Sequence, residues 1–404
     1  MRRLAEEARI VVANHHLVFA DMSLRSGTVE RGGALPSYEA IVFDEAHQIE
    51  DIASDFFGVR VSSSRLDALL RDADRSFKAA GLADELLGNR MGVGITAPAR
   101  DAGRAFFDDL ALSLGRGEPG KRPLPRETWS GETLQRYHRL DAALESVQAF
   151  AQANDKNDDV AAVADRAAAL RDDLARVVDG TAGAVSWLET RARSAAVGAT
   201  PIEVAPMLRE RIFERIPAVV LTSATLTTAS GFGFFRSRIG ADTPYTTFRE
   251  LQVPSPFDFA RVALLYIAPD LPEPTEAAFA THAAARAADL IDITDGGALV
   301  LCTSNRAMHT IHRDLSERLS HVVMVQGEAP KVTLLERFRK IGNAVLVATM
   351  SFWEGVDVAG DALRLVIIDK LPFAVPSDPV VMARCAALEE AGDNPFVRYQ
   401  VPAA

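Results

Sequence analysis

Short, unbroken runs of β-branched and other apolar residues recur along this chain, each followed at once by small or polar residues and then, in most cases, by a stretch of helical period. The runs include Ile10-Val11-Val12, Ile41-Val42-Phe43, Val219-Val220-Leu221, Val262-Ala263-Leu264-Leu265, Leu299-Val300-Leu301, Val345-Leu346-Val347 and Leu365-Val366-Ile367-Ile368. A strand with one wet face alternates apolar and polar residues; these do not, so they suit strands covered on both faces, the parallel sheets of an α/β protein. Residues 275–293, 306–319 and 333–341 have the period of crossover helices, and strand-helix alternation is the βαβ pattern. Ligands of such sheets gather at the carboxyl ends of the strands. Polar residues stand there: Asn14-His15-His16, Asp44-Glu45-Ala46-His47, Thr222-Ser223-Ala224-Thr225, Thr303-Ser304-Asn305 and residues 351–357.

At 404 residues the chain exceeds one typical core, so two or three domains are expected. From residue 62 to 199 the texture turns to Ala, Leu, Asp and Arg, with helical period over 140–150 and 160–178, broken by a turn-rich segment at 115–125. This reads as a helical insertion (62–199) interrupting a first sheet domain made of 1–61 and 200–248. Val253-Pro254-Ser255-Pro256-Phe257 reads as the linker into a second sheet domain, 249–404. No run approaches the roughly 18 apolar residues of a membrane helix, and the start lacks the apolar stretch of a signal peptide, so a cytoplasmic protein with no membrane partner is expected. Cys302 and Cys385, the only cysteines, exclude a disulfide framework or a cysteine-only metal cluster and read as inert core residues. A net charge of -11 argues against indiscriminate coating of nucleic acid but leaves room for a local basic groove.

Asp44-Glu45-Ala46-His47 closes one of the apolar runs. An acidic pair there can hold Mg²⁺ through one carboxylate, usually via water, while the next orients or deprotonates a water aimed at a γ-phosphate. The same residues also suit a helix N-terminus, with Asp44 capping and Glu45 favourable to the dipole. Hydroxyls of Thr222-Ser223-Ala224-Thr225 can bond the acidic motif on a neighbouring strand or cap the next helix. Ser223 lacks the glycines of a nucleophile elbow, and His15, His16, His309 and His312 have no acidic or cysteine partner at ligand spacing. Residues 115–121 approximate a phosphate-cradling loop, but Arg122 replaces the needed hydroxyl, prolines follow where a helix should start, and the order relative to Asp44 is wrong; they read as a plain loop. Arg60, Arg65, Arg71, Arg75 and Lys78 are interleaved with acids, as on a solvated helix face, with a DNA passage as the alternative.

In this order and separation, Asp44-Glu45-Ala46-His47 and Thr222-Ser223-Ala224-Thr225 resemble motifs II and III of superfamily 2 helicases. Ser351-Phe352-Trp353-Glu354-Gly355-Val356-Asp357-Val358, followed by Leu365-Val366-Ile367-Ile368-Asp369-Lys370-Leu371-Pro372-Phe373, looks like motif V of the DinG/XPD branch. Asn14-His15-His16-Leu17 and Ser255-Pro256-Phe257 are also similar to DinG-type bacterial helicases, so the resemblance spans nearly the whole chain and is weakest in the insertion. It implies two RecA-like parallel-sheet domains with a nucleotide site in the cleft between them, and an inserted arch of helices over single-stranded DNA. It implies an ATP-dependent 5′→3′ DNA helicase of repair or replication, working as a monomer on single-stranded or forked DNA. By motif match Asp44 coordinates Mg²⁺, Glu45 activates water, and His47 with Ser223, Ala224 and Thr225 couples hydrolysis to movement. Gly355 and Asp357 approach the nucleotide, and Thr303, Ser304 and Trp353 meet DNA, although a Trp beside a glycine turn also suits a core.

Three family elements are missing from these residues. No G-x-x-x-x-G-K-[ST] loop stands upstream of Asp44, the four cysteines of the family's 4Fe-4S cluster are absent, and no residue matches the motif VI arginine. An arginine finger alone is worth about 10³ to 10⁵ in rate. The expectation is a sequence truncated at both ends and inactive alone; the alternative is a non-catalytic paralogue that binds single-stranded DNA or a partner.

Overall fold

The computed structural model describes residues 2–25, 33–82, 94–113, 120–192, 194–229, 231–242, 247–353 and 355–403. They fall into two compact units, Met1–Glu250 with Ala374–Ala403, and Leu251–Phe373.

The first unit carries β1 (Ala40–Phe43), β2 (Val59–Ser62), β3 (Gly120–Pro123), β4 (Ala184–Arg191), β5 (Ser194–Pro201) and β6 (Ala218–Leu221). β1 and β6 pair in parallel, Ala40 opposite Ala218 through Phe43 opposite Leu221. Ile41, Phe43, Val219 and Leu221 face a core built with Phe19, Ile49, Phe57 and Ile239 from helices His15–Arg25, Ile49–Phe57 and Gly233–Ile239. Register partners Val42 and Val220 point the other way and are 65% and 49% exposed. Burial on both faces, expected from the unbroken apolar runs, therefore does not hold for this pair, because its helices pack on one face only among the described residues. Nor do residues 10–12 form a strand: Ile10 and Val12 are 84% and 96% exposed, and among the described residues no neighbouring strand takes their backbone groups.

Among the described residues, the segment expected to be a helical insertion has four long helices, Ser63–Ala79, Ala97–Ser113, Gly131–Ala153 and Asp158–Asp179. Each buries apolar residues four apart, Leu66 and Leu70, Phe106 and Leu110, Leu140 and Leu144, Leu170 and Leu174, which stacks them on one helix face. Ser62 caps the first, its hydroxyl accepting from the Arg65 amide at 3.1 Å. The helices pack with an antiparallel sheet of order β2-β5-β4-β3 that the sequence reading did not anticipate. β5 is almost wholly buried although it is mostly Ala, Ser and Gly. At Gly198 a Cβ would lie 2.3 Å from Cζ2 of Trp187, so the indole requires glycine beneath it. Lys121, read as part of a plain loop, is instead on edge strand β3; its ammonium lies 4.7 Å from the Trp187 ring centroid and 3.6 Å from Asp378. Pro123 ends that strand, where no ladder donor is needed. Residues 115–119 of the same motif lie outside the described residues.

The second unit carries β7 (Ala298–Leu301), β8 (Val323–Val325), β9 (Val345–Ala348) and β10 (Leu365–Ile368), all parallel in the order β10-β7-β9-β8. Helices Phe279–Ile293 and Asn305–Arg318 bury Ile291, Met308, Ile311 and Leu315 against Val300, Val345 and Val347. Helix Lys331–Ile341 buries Leu334, Leu335 and Phe338 against Leu299, Leu301 and Leu346. Here the central strands β7 and β9 are covered on both faces, as their unbroken runs require, whereas on edge strand β10 Val366 and Ile368 are 51% and 47% exposed, so burial on both faces does not hold for the run at 365–368. The run at 262–265 is again no strand, with Leu264 93% exposed. Cys302 is buried, and burial pushes its thiol up to about 12, whereas Cys385 is only half-buried. Among the described residues no helix is long and apolar enough to cross a membrane.

Candidate active site

β1 and β6 end side by side, and their next residues are the two polar motifs. The Thr222 amide continues the ladder to the Phe43 carbonyl, and the Ala46 amide donates back to the Thr222 carbonyl, both at 2.9 Å. That exchange turns the acidic loop toward the neighbouring strand, and Glu45 takes the left-handed conformation, φ 49°, ψ 48°. A residue with a Cβ holds that conformation only where its surroundings dictate it.

Side-chain bonds then join the motifs. The Thr222 hydroxyl donates to Asp44 Oδ1 at 3.0 Å, and the Ser223 hydroxyl to Glu45 Oε2 at 3.2 Å. Ser223 Oγ also accepts from the Thr225 amide at 3.3 Å and lies 2.8 Å from His47 Nδ1, which is 3.4 Å from Glu45 Oε2. A hydroxyl has one proton and a carboxylate has none to give. Satisfying all contacts therefore requires Ser223 to donate to Glu45 and the His47 Nδ1–H to donate to Ser223. Asp44, Glu45, His47, Ser223 and Thr225 are thus brought together, with Ala224 exposed on the same turn. The hydroxyls of Thr222 and Ser223 thus bond the acidic motif on the neighbouring strand, as the sequence allowed; that Thr222 pairs with Asp44 in particular follows from the strand register.

In the second unit the strand ends gather another polar group. Thr303 gives its amide to Asp369 Oδ1 at 3.0 Å, while Ser304 caps Asn305–Arg318 by accepting from the Ala307 amide at 3.1 Å. Burial pushes the Asp369 carboxyl above its ordinary value, and its buried Oδ2 has no hydrogen-bond partner among the described residues. Gln326 Oε1 accepts from the Thr349 amide at 2.8 Å, tying the end of β8 to that of β9. Gly355 has φ 64°, the left-handed region that glycine enters freely. Exposed Asp357 presents its carbonyl to Arg339, and the Trp353 ring packs, half-buried, against the apolar cluster around Phe338 and Phe352. Asp369 stands in the motif V segment but was given no role, and Gln326 and Thr349 escaped sequence reading because ordinary polar residues after a strand carry no motif.

The donors at β1 suit a hard cation: Asp44 is exposed and binds Thr222 through one oxygen, and Mg²⁺ characteristically takes one or two carboxylates and keeps its waters. An iron-sulfur cluster does not fit. The sequence has two cysteines, and no described group of three or more His, Cys, Asp or Glu can hold a metal.

Residues 287–404 match the helicase C-terminal domain family. Across 99% of its length the chain is 35% identical to the ATP-dependent DNA helicase YoaA of Escherichia coli K12, of which it covers 61%. Over nearly its whole length the chain is therefore similar to helicases of the DinG and YoaA kind. It is 31% identical over 98% of its length to the ATP-dependent helicase DinG of Mycobacterium tuberculosis H37Ra, covering 57% of that protein. The chain thus spans about three-fifths of the length of these DinG and YoaA relatives, which are ATP-dependent helicases. The structure of S. tokodaii Xpd4 superposes with a TM-score of 0.59 at 12% identity, over 95% of this chain and 71% of that one, a likeness of fold alone.

Proposed function

We propose that this protein is an ATP-dependent DNA helicase of the DinG/XPD type, coupling ATP hydrolysis to 5′→3′ translocation on single-stranded DNA in repair or replication. One observation carries the reading: the hydrogen-bonded union of Asp44, Glu45 and His47 with Thr222, Ser223 and Thr225 at adjacent strand ends. Glu45 orients and deprotonates the attacking water, and the Ser223 proton holds its carboxylate in place between turnovers. Asp44, steadied by Thr222, is the residue that would hold Mg²⁺, whose charge neutralises phosphate oxygens when bound. His47, Ser223, Ala224 and Thr225 form the coupling path, because any shift of the β6 turn is felt at once by the Glu45 carboxylate. Gly355 and Asp357 are proposed as nucleotide contacts, and Thr303, Ser304 and Trp353 as DNA contacts. Residues 62–199 are proposed as the arch over the DNA path.

A second reading is a non-catalytic relative that binds single-stranded DNA or a partner. On the first reading the chain alone turns over ATP at most slowly, while a form extended to the length of its relatives unwinds forked DNA. Strand separation on forks bearing only a 5′ or only a 3′ tail distinguishes these. Unwinding confined to the 5′-tailed fork is the expected result. No unwinding of either fork, with tight single-stranded DNA binding, would establish the second reading instead.

A further inference from the structure

Glu50 stands in the first turn of helix Ile49–Phe57, immediately after the single turn Ala46–Gln48 that carries His47. Two arginines from distant sequence close on it. Arg238 donates from Nε to Glu50 Oε2 at 2.9 Å and from Nη2 to Oε1. Arg384, only 6% exposed, lies on helix Pro379–Glu390 with Nη2 3.0 Å from Glu50 Oε1 and 3.1 Å from Ser54 Oγ. Its Nε donates to the Ile202 carbonyl and its Nη1 to the Tyr399 hydroxyl, both at 3.0 Å. Both guanidinium groups lie over the Tyr399 ring, 5.0 and 5.7 Å from its centroid. The neighbouring Asp51 carboxyl is pushed upward by its burial, with Glu50 adding to the shift and Arg384 and Arg238 opposing it. Buried charges of this kind persist only while each keeps its partners, because deleting one leaves another uncompensated.

We infer that Arg384 is a positioning residue for the Asp44–His47 loop, acting through Glu50. Glu45 keeps its left-handed backbone because both flanks of the loop are fixed. One flank is tied by the Ala46 amide to Thr222; the other continues into Ile49–Phe57, whose first turn is gripped through Glu50. The chain leaves the first unit at Glu250 and rejoins it at Ala374, so the grip comes from a segment that follows β10 in sequence. Displacing Ala374–Ala403 therefore loosens the acidic loop. That this serves hydrolysis rests on the function proposed above; that it holds the loop does not.

Hydrogen-deuterium exchange on the full chain tests the inference, read at residues 44–50, where the Ala46 and Gln48 amides are bonded to Thr222 and Glu45. Arg384→Met should speed exchange there roughly tenfold, the size of losing one charge-assisted bond, and Arg384→Lys should recover part, since an ammonium keeps one contact of the fork. Tyr399→Phe, which deletes only one acceptor, should give about threefold by the same scale. Faster exchange confined to 379–403, with 44–50 unchanged, would overturn the inference by showing that Arg384 anchors only its own segment. If Arg384→Met does not fold, Tyr399→Phe decides by the same criterion. In an ATP-hydrolysing form, Arg384→Met should lower kcat with KM for ATP unchanged. Should exchange respond while Glu45→Gln leaves hydrolysis intact, the positioning stands and the hydrolytic reading falls.

Discussion

Replacing Glu45 by glycine and by alanine separates backbone strain from side-chain chemistry. At φ 49° and ψ 48° any residue with a Cβ carries a penalty of about 1–2 kcal/mol. Alanine keeps that penalty and glycine escapes it, while glycine loses about 0.4–1 kcal/mol through the greater freedom of its unfolded chain. Both variants lose the Ser223 contact, so that cost cancels in the comparison. Glu45→Gly is therefore expected to be more stable than Glu45→Ala by about 0.5–1 kcal/mol, the reverse of the ordering in a helix or strand. Urea unfolding followed through the fluorescence of Trp129 and Trp187, which lie in the same unit as Glu45, gives the difference from the midpoints at a common slope. An alanine variant as stable as the glycine variant, or more so, would refute the left-handed placement and the account of how the loop is held.

Other consequences follow from the same geometry. Ser223→Ala removes the donor to Glu45 and the acceptor for His47 and Thr225, and should cost about 1 kcal/mol in urea unfolding, because the contacts are largely exposed. Gly198→Ala drives a methyl into Trp187 and the Val59 carbonyl and should destabilise by about 1–3 kcal/mol, read from the same fluorescence. Asp369 has a folded-state pKa above its unfolded value, so its contribution to stability is fullest below about pH 4 and declines as pH rises through the folded value. Asp369→Asn keeps an acceptor for the Thr303 amide and should abolish that decline; a variant whose unfolding shows the same pH dependence as wild type would contradict the assignment.

The central strands of the second unit were legible, because unbroken runs such as Val345-Leu346-Val347 sit under helices on both faces and say so in their composition. The first unit was harder. An apolar run states that a segment avoids water, not that another strand edge awaits it, which is why residues 10–12, and residues 262–265 in the second unit, form no strand. β5 hid behind Ala, Ser and Gly, of which Gly198 is required under Trp187 and not for strand propensity. The acidic and hydroxyl motifs were recognisable from order and spacing, yet the Thr222–Asp44 bond needed the strand register. Arg384 and Glu50 carry no local signal of each other, since burial, not sequence pattern, makes their pairing matter.

The most direct test of the functional account is single-stranded-DNA-stimulated ATP hydrolysis by the protein extended to the length of its relatives, beside its Glu45→Gln variant. The amide keeps the shape and the Ser223 acceptor but cannot take a proton from water. A fall in kcat of about 10²- to 10⁴-fold with ATP binding retained is the predicted result. Hydrolysis at the wild-type rate in the variant would show that Glu45 is not the base and that the joined motifs do not form the hydrolytic site.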